Sequence, residues 1–180
     1  MFGLVVVDML NDFVRREGAL YVKNSEKIVE PIRRVLKEMR GKARVIYLVD
    51  SHTKEDRELL IWPEHCLENS WGAEIIEELK PEDKDIVIKK KTYDGFFETE
   101  LESILKKEKI DTLIFMGVVT EICVFHTASS AALRGFKVVL LKDCVMSLNI
   151  KDAEFVERHI KNVFGGKVMS SSELLHSPPI

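Results

Sequence analysis

The chain has 180 residues, 46% of them hydrophobic and 32% charged, with a formal net charge of −3 at pH 7. That is chain enough for one domain with a full core, and it describes a soluble globular protein. The 27 basic and 30 acidic residues are interspersed, which speaks against a nucleic-acid or membrane surface. Glutamine is missing while Lys and Glu abound, a composition expected of a thermophilic source. The amino terminus reaches Asp8 without the basic start and cleavage site of a signal peptide, and no apolar run is long enough to span a bilayer. The three cysteines, Cys66, Cys123 and Cys144, are widely spaced and odd in number, so neither a disulfide framework nor a zinc finger is expected. Cytoplasmic location is the expectation.

Residues 3–7 form a continuous apolar run, the mark of a strand buried on both faces, and the run ends at Asp8. Residues 11–21 read as loop. Asn24 and Ser25 are candidate N-caps for a helix carrying Ile28, Ile32, Val35, Leu36 and Met39, with Pro31 near its start and Gly41 closing it. Residues 43–49 are a second buried strand, ending at Asp50. A long polar connection, 51–69, follows; loops of that length inside a domain are usually functional. Residues 71–79 read as a short helix and 85–90 as a third strand. Thr99 is placed to cap a helix carrying Leu101, Ile104 and Leu105.

Residues 112–116 are a fourth strand. It leads through Gly117-Val118-Val119-Thr120-Glu121-Ile122-Cys123 into a helix that Gly135 ends. Residues 137–141 are a fifth strand. Residues 153–163 are helical, with Phe155, Val156, His159 and Ile160 as the inner face. Gly165-Gly166 turns the chain into a sixth strand, 167–169, and the tail from His176 to Ile180 is expected to fray. Strands and helices alternate throughout, so the class is α/β with a parallel sheet and helices on both faces.

Chemistry gathers at the strand ends, the edge where open α/β sheets keep their sites. Cys123 falls in the first turn of a helix, where the dipole and unpaired N–H groups favour a thiolate. Lone cysteines are more often small core residues, so the case for a nucleophile depends on its company. Asp8 follows an apolar run, and burial would raise its pKa and suit it to exchange protons with a thiol. Lys89, Lys90 and Lys91 close the third strand. Alternation sets Lys90 on the opposite face from its neighbours, but periodicity alone does not say which lysine faces the cysteine. Asp50 and His52 with His65 supply one carboxylate and two imidazoles, a facial set for a divalent transition metal, although the spacing is not diagnostic. Cys66, Cys144, His126, His159 and His176 read as structural or surface residues. No Gly-rich phosphate loop follows any strand.

Four pieces in order carry a family resemblance. They are Val6-Val7-Asp8-Met9-Leu10-Asn11-Asp12-Phe13, then Asp50-Ser51-His52 with Trp62-Pro63-Glu64-His65-Cys66, then Lys90-Lys91-Thr92-Tyr93-Asp94-Gly95-Phe96, and 117–124 continuing through Thr127, Ala128, Ala131 and Gly135. The chain resembles the isochorismatase-like cysteine hydrolases, most closely the nicotinamidases, over nearly its whole length. The resemblance implies one domain over residues 1–180, a three-layer α/β/α sandwich whose six-stranded parallel sheet runs 3-2-1-4-5-6. It implies a triad of Asp8, Lys90 and Cys123, and so selects Lys90. It implies a non-proline cis peptide at Val118–Val119 that turns N–H groups of Val119 and Cys123 toward an oxyanion. It implies Zn, Mn or Fe held by Asp50, His52 and His65 and binding a pyridine nitrogen, with no organic cofactor. Phe13 and Trp62 would flank the ring, with Tyr93 beside them. Nicotinamide hydrolysis in NAD salvage, by a homo-oligomeric dimer or tetramer, is the implied role.

Alternatives within the class are a metal-independent hydrolase of another amide, a carbamoyl compound or a vinyl ether. A non-catalytic ligand-binding member is the alternative outside it. Three features depart from the nicotinamidase pattern: Leu10 where Gln is usual, Leu60-Ile61 where a Gly pair is usual, and a short connection from His52 to Trp62.

Overall fold

Six strands carry the fold: β1 (Phe2–Val7), β2 (Arg44–Asp50), β3 (Ile86–Lys90), β4 (Thr112–Val118), β5 (Lys137–Met146) and β6 (Lys167–Met169). In the computed structural model, which describes residues 1–177, they pair in parallel in the order β3-β2-β1-β4-β5-β6. The helices are α1 (Asn11–Val14), α2 (Val29–Met39), α3 (Leu101–Lys107), α4 (Phe125–Leu133), α5 (Ile150–Asn162) and α6 (Ser171–His176).

Alternation along β1 explains the three layers. Leu4 and Val6 point into a core shared with α1, α2 and α6, while Val5 and Val7 point into a second core shared with α3, α4 and α5. The central strands are buried on both faces, hence their unbroken apolar runs. Gly117, at a register shift between β4 and β5, is required: its φ is +115°, and a Cβ there would lie 2.0 Å from the carbonyl oxygen of Val7. The strand order is the expected one.

Several local expectations are corrected. Residues 11–21 begin with α1, whose four residues are all buried and so show no amphipathic period. Neither Asn24 nor Ser25 caps a helix through its side chain; Ser25 Oγ donates to the Phe13 carbonyl instead. Residues 71–79 form two 3₁₀ turns, Trp71–Ala73 and Glu77–Leu79, parted where Ile75 bridges to Leu10. β5 continues to Met146, beyond the expected end. α5 starts earlier, at Ile150, because the Asn149 side chain accepts from Asp152 N at 3.0 Å. Of its expected inner face only Val156 and Ile160 are buried, and Phe155 is exposed. His176 closes α6 rather than fraying, helped by a Ser170–Glu173 capping box; residues 178–180 lie outside the described residues. Among the described residues no helix is long and apolar enough to cross a membrane.

Candidate active site

Parallel pairing brings four chain positions together at the carboxyl edge of the sheet. Asp50 and Lys90 are register partners at the ends of β2 and β3. Asp8 follows β1, its N–H bonded to Leu48 O and its Oδ1 accepting from Asp50 N at 2.9 Å. Cys123 follows β4. All four are buried. Lys90 Nζ lies 2.8 Å from Asp8 Oδ2, donates to Asp50 Oδ1, and reaches Cys123 Sγ at 3.5 Å. A carboxylate oxygen has lone pairs for more than one donor, so Asp8 Oδ2 can face Lys90 and still accept a thiol proton.

Burial, reinforced by the Asp50 charge, pushes the Asp8 carboxyl up to about 6 against the pull of Lys90. Burial alone would lower Lys90, but the carboxylates of Asp50 and Asp8 outweigh it and hold the ammonium charged. Burial also raises the Cys123 thiol well above its ordinary value, with Lys90 opposing. The local structure also differs from the expected helix start. Cys123 sits in a π-helical turn, Thr120–Val124, ahead of α4, not in the first turn of an α-helix. The resting sulfur is a thiol with a base and a cation beside it. The Val118–Val119 peptide in front of that turn is cis.

A second cluster adjoins the first. One ligand atom each from Asp50, His52, Glu58 and His65 lie within 4.8 Å of one another. His52 Nε2 is 3.7 Å, and His65 Nε2 4.0 Å, from Asp50 Oδ2; Glu58 Oε1 is 3.9 Å from His65 Nε2. His65 Nδ1 is held by the Pro63 carbonyl at 2.7 Å, and Asp56 Oδ2 stands 3.5 Å from His52 Nδ1. Each ring thus has its outer nitrogen toward an oxygen acceptor and its inner one toward the cluster, the second-shell arrangement of metal-binding histidines. Both His52 nitrogens and Glu58 Oε2 are buried without a hydrogen-bond partner. Unpaired buried polar atoms are costly, and this oxygen–nitrogen set fits a divalent transition ion. Burial, then Asp50, pushes the Glu58 carboxyl up to about 7. Sequence reasoning missed Glu58. It lies in a 3₁₀ turn within a charged stretch that reads as solvated, and only its burial singles it out.

A cavity of about 310 Å³ is lined by both clusters, Asp8 and Cys123 from the first and Asp50, Glu58 and His65 from the second. Phe13, Trp62 and Tyr93 all line it, with Trp62 Nε1 donating to Tyr93 Oη at 3.0 Å. Val118, Val119 and Ile122 complete the wall near the sulfur. Two of the three departures from the nicotinamidase pattern lie off this space, while the third, the short connection from His52 to Trp62, brings Glu58 into its lining. Leu10 is buried against Ile75, and Leu60 and Ile61 are 86% and 70% exposed.

The isochorismatase-domain family model matches residues 2–173. The chain belongs to the isochorismatase family. Its relatives include the nicotinamidase of Saccharomyces cerevisiae, 26% identical, with 79% of this chain and 87% of that protein covered. The solved N-carbamoylsarcosine amidase of Thermoplasma acidophilum is 35% identical with a TM-score of 0.88, covering 96% of this chain and 97% of that one. The pyrazinamidase of Pyrococcus horikoshii, solved in complex with zinc, is 30% identical with a TM-score of 0.87, covering 94% and 98%. For this isochorismatase-family hydrolase, every residue singled out from sequence as catalytic, metal-ligating or aromatic falls at one sheet edge.

Proposed function

We propose that this hydrolase is a metal-assisted cysteine amidohydrolase of nicotinamidase type, taking nicotinamide and water to nicotinate and ammonia. The observation that carries the reading is the sulfur of Cys123 at 3.5 Å from buried Lys90, with the Asp8 carboxylate beside both, inside a cavity that also opens on Asp50, Glu58 and His65. Ionised Asp8 takes the thiol proton as the sulfur attacks the amide carbonyl carbon. The N–H groups of Val119 and Cys123 receive the developing oxyanion, and Lys90 offsets its charge. Asp8 hands the proton to the departing nitrogen, which leaves as ammonia, and an acyl thioester remains on Cys123. Asp8 then draws a proton from water as it adds to the thioester. Collapse frees the acid, and the proton returns to the sulfur.

Asp50, His52, Glu58 and His65 would hold the metal, which when bound supplies a Lewis-acidic anchor for a ring nitrogen. Phe13, Trp62 and Tyr93 flank and orient the ring, and Trp62 is itself braced by its bond to Tyr93. A cavity of about 310 Å³ suits a single-ring amide. The Thermoplasma neighbour favours one second reading, a carbamoyl compound in the same site. Three buried free thiols suit a reducing compartment, and we place the enzyme in the cytoplasm.

Ammonia release from nicotinamide, pyrazinamide, N-carbamoylsarcosine and simple amides, with and without added Zn(II), tests the proposal. Nicotinamide is expected to turn over fastest, and Cys123→Ala to lose turnover while remaining folded. Turnover by that variant would remove the sulfur from the mechanism; preference for the carbamoyl compound would select the second reading.

A further inference from the structure

Asp12 takes no part in these proton transfers, yet it is buried. Its Oδ2 accepts from Cys66 N at 2.7 Å and its Oδ1 from Ala19 N at 3.0 Å, while its own carbonyl accepts from Leu20 N at 3.1 Å. Cys66 follows His65 in the chain and holds φ at +45°, a backbone state that residues other than Gly rarely adopt. Leu20, Tyr21 and Val22 line the same cavity as His65. Gly72 lies flat against the carboxylate: a Cβ there would stand 2.0 Å from Asp12 Oδ2. Both oxygens of one side chain therefore fasten segments that are 47 positions apart, 19 and 66, to the first turn of α1.

We infer that Asp12 is a positioning residue that clamps the His65 turn to the 19–22 wall, and through His65 sets the affinity of the metal site. The affinity part rests on the proposed metal; the clamp does not. Asp12→Asn is the sharp variant. It keeps the shape but turns one acceptor into an NH₂ donor facing a backbone N–H, so it should fail nearly as Asp12→Ala does. Gly72→Ala is an independent variant, since it crowds the carboxylate without touching its chemistry.

Amide exchange of the full-length protein, read on peptides covering residues 19–22 and 62–69, is combined with Co(II) titration of metal-free protein followed by absorption. Exchange in both segments should speed up by about tenfold or more while β1 and β4 stay protected, as expected of local rather than global opening. Co(II) affinity should weaken roughly 10–100-fold, the usual effect of losing an outer support of a metal ligand. Wild-type exchange in either segment of the Asp12 variants, or equal acceleration across β1 and β4, overturns the clamp. Loosened segments with unchanged Co(II) affinity overturn its link to the metal. If the wild type takes up no Co(II), the proposed metal fails, and the exchange data alone decide the clamp.

Discussion

Replacing Lys90 with methionine keeps the length of the side chain and removes a fully buried cation from between Asp8, Asp50 and Cys123. At 2.8 Å and an effective dielectric of about 20, its attraction to Asp8 alone is about 6 kcal/mol. Desolvation offsets part of that, and breaking such a pair typically costs about 3–5 kcal/mol, because an uncompensated charge stays buried. The cost should depend on pH in a defined direction. Asp8 already titrates at about 6, above its ordinary value, and losing Lys90 raises it further. A carboxyl whose pKa is raised by folding contributes no penalty below its unfolded value and an increasing one as pH climbs toward the folded value. Over the interval where the variant holds one proton more than the wild type, each pH unit is worth about 1.4 kcal/mol. Urea unfolding of metal-free protein should therefore show a deficit of about 4 kcal/mol at pH 8, and one smaller by about 2 kcal/mol at pH 5. Lys90 stays charged at both pH values, so the wild type is a fair reference. An equal deficit at the two pH values would refute the view that trapped carboxylates set the cost.

In the proposed mechanism Asp8 must be ionised to accept the thiol proton, so kcat/KM on a non-ionising amide should fall about tenfold per unit below about pH 6; an acid limb near pH 4 would assign the base elsewhere. Glu58→Gln should weaken Zn(II) binding, read by chelator competition, by at least the roughly tenfold that loss of an outer-shell partner costs. Wild-type affinity there removes Glu58 from the ligand set. Gly117→Ala should cost about 3 kcal/mol or more, since a positive φ and a clash with Val7 O coincide, and thermal unfolding reads it directly.

The sheet was legible because parallel strands buried on both faces leave unbroken apolar runs such as 3–7 and 112–116, and each run stops where chemistry begins. A short element carries no such mark. α1 buries all four of its residues, and the Leu10–Ile75 bridge splits what looks like a helical period across 71–79. The proposed triad was readable as residue types at strand ends, with Lys90 chosen by the resemblance, but its electrostatics were not. A thiol at a helix start reads as acidic, whereas this one is desolvated by the cores packed around β4 and titrates high. Glu58 and Asp12 were hidden for opposite reasons. Glu58 lies among charges that look solvated, and the duty of Asp12 depends on backbone N–H groups that no side-chain pattern reveals.

Asp50 faces two ways: its Oδ1 takes the Lys90 ammonium, and its Oδ2 looks toward His52 and His65. A descendant that lost its histidines would still need this aspartate to keep its lysine company. The residue is thus a poor fingerprint of metal dependence. The two imidazoles and Glu58, which have no second employment at the sulfur, are where the divergence of metal-using from metal-free chemistry would be written.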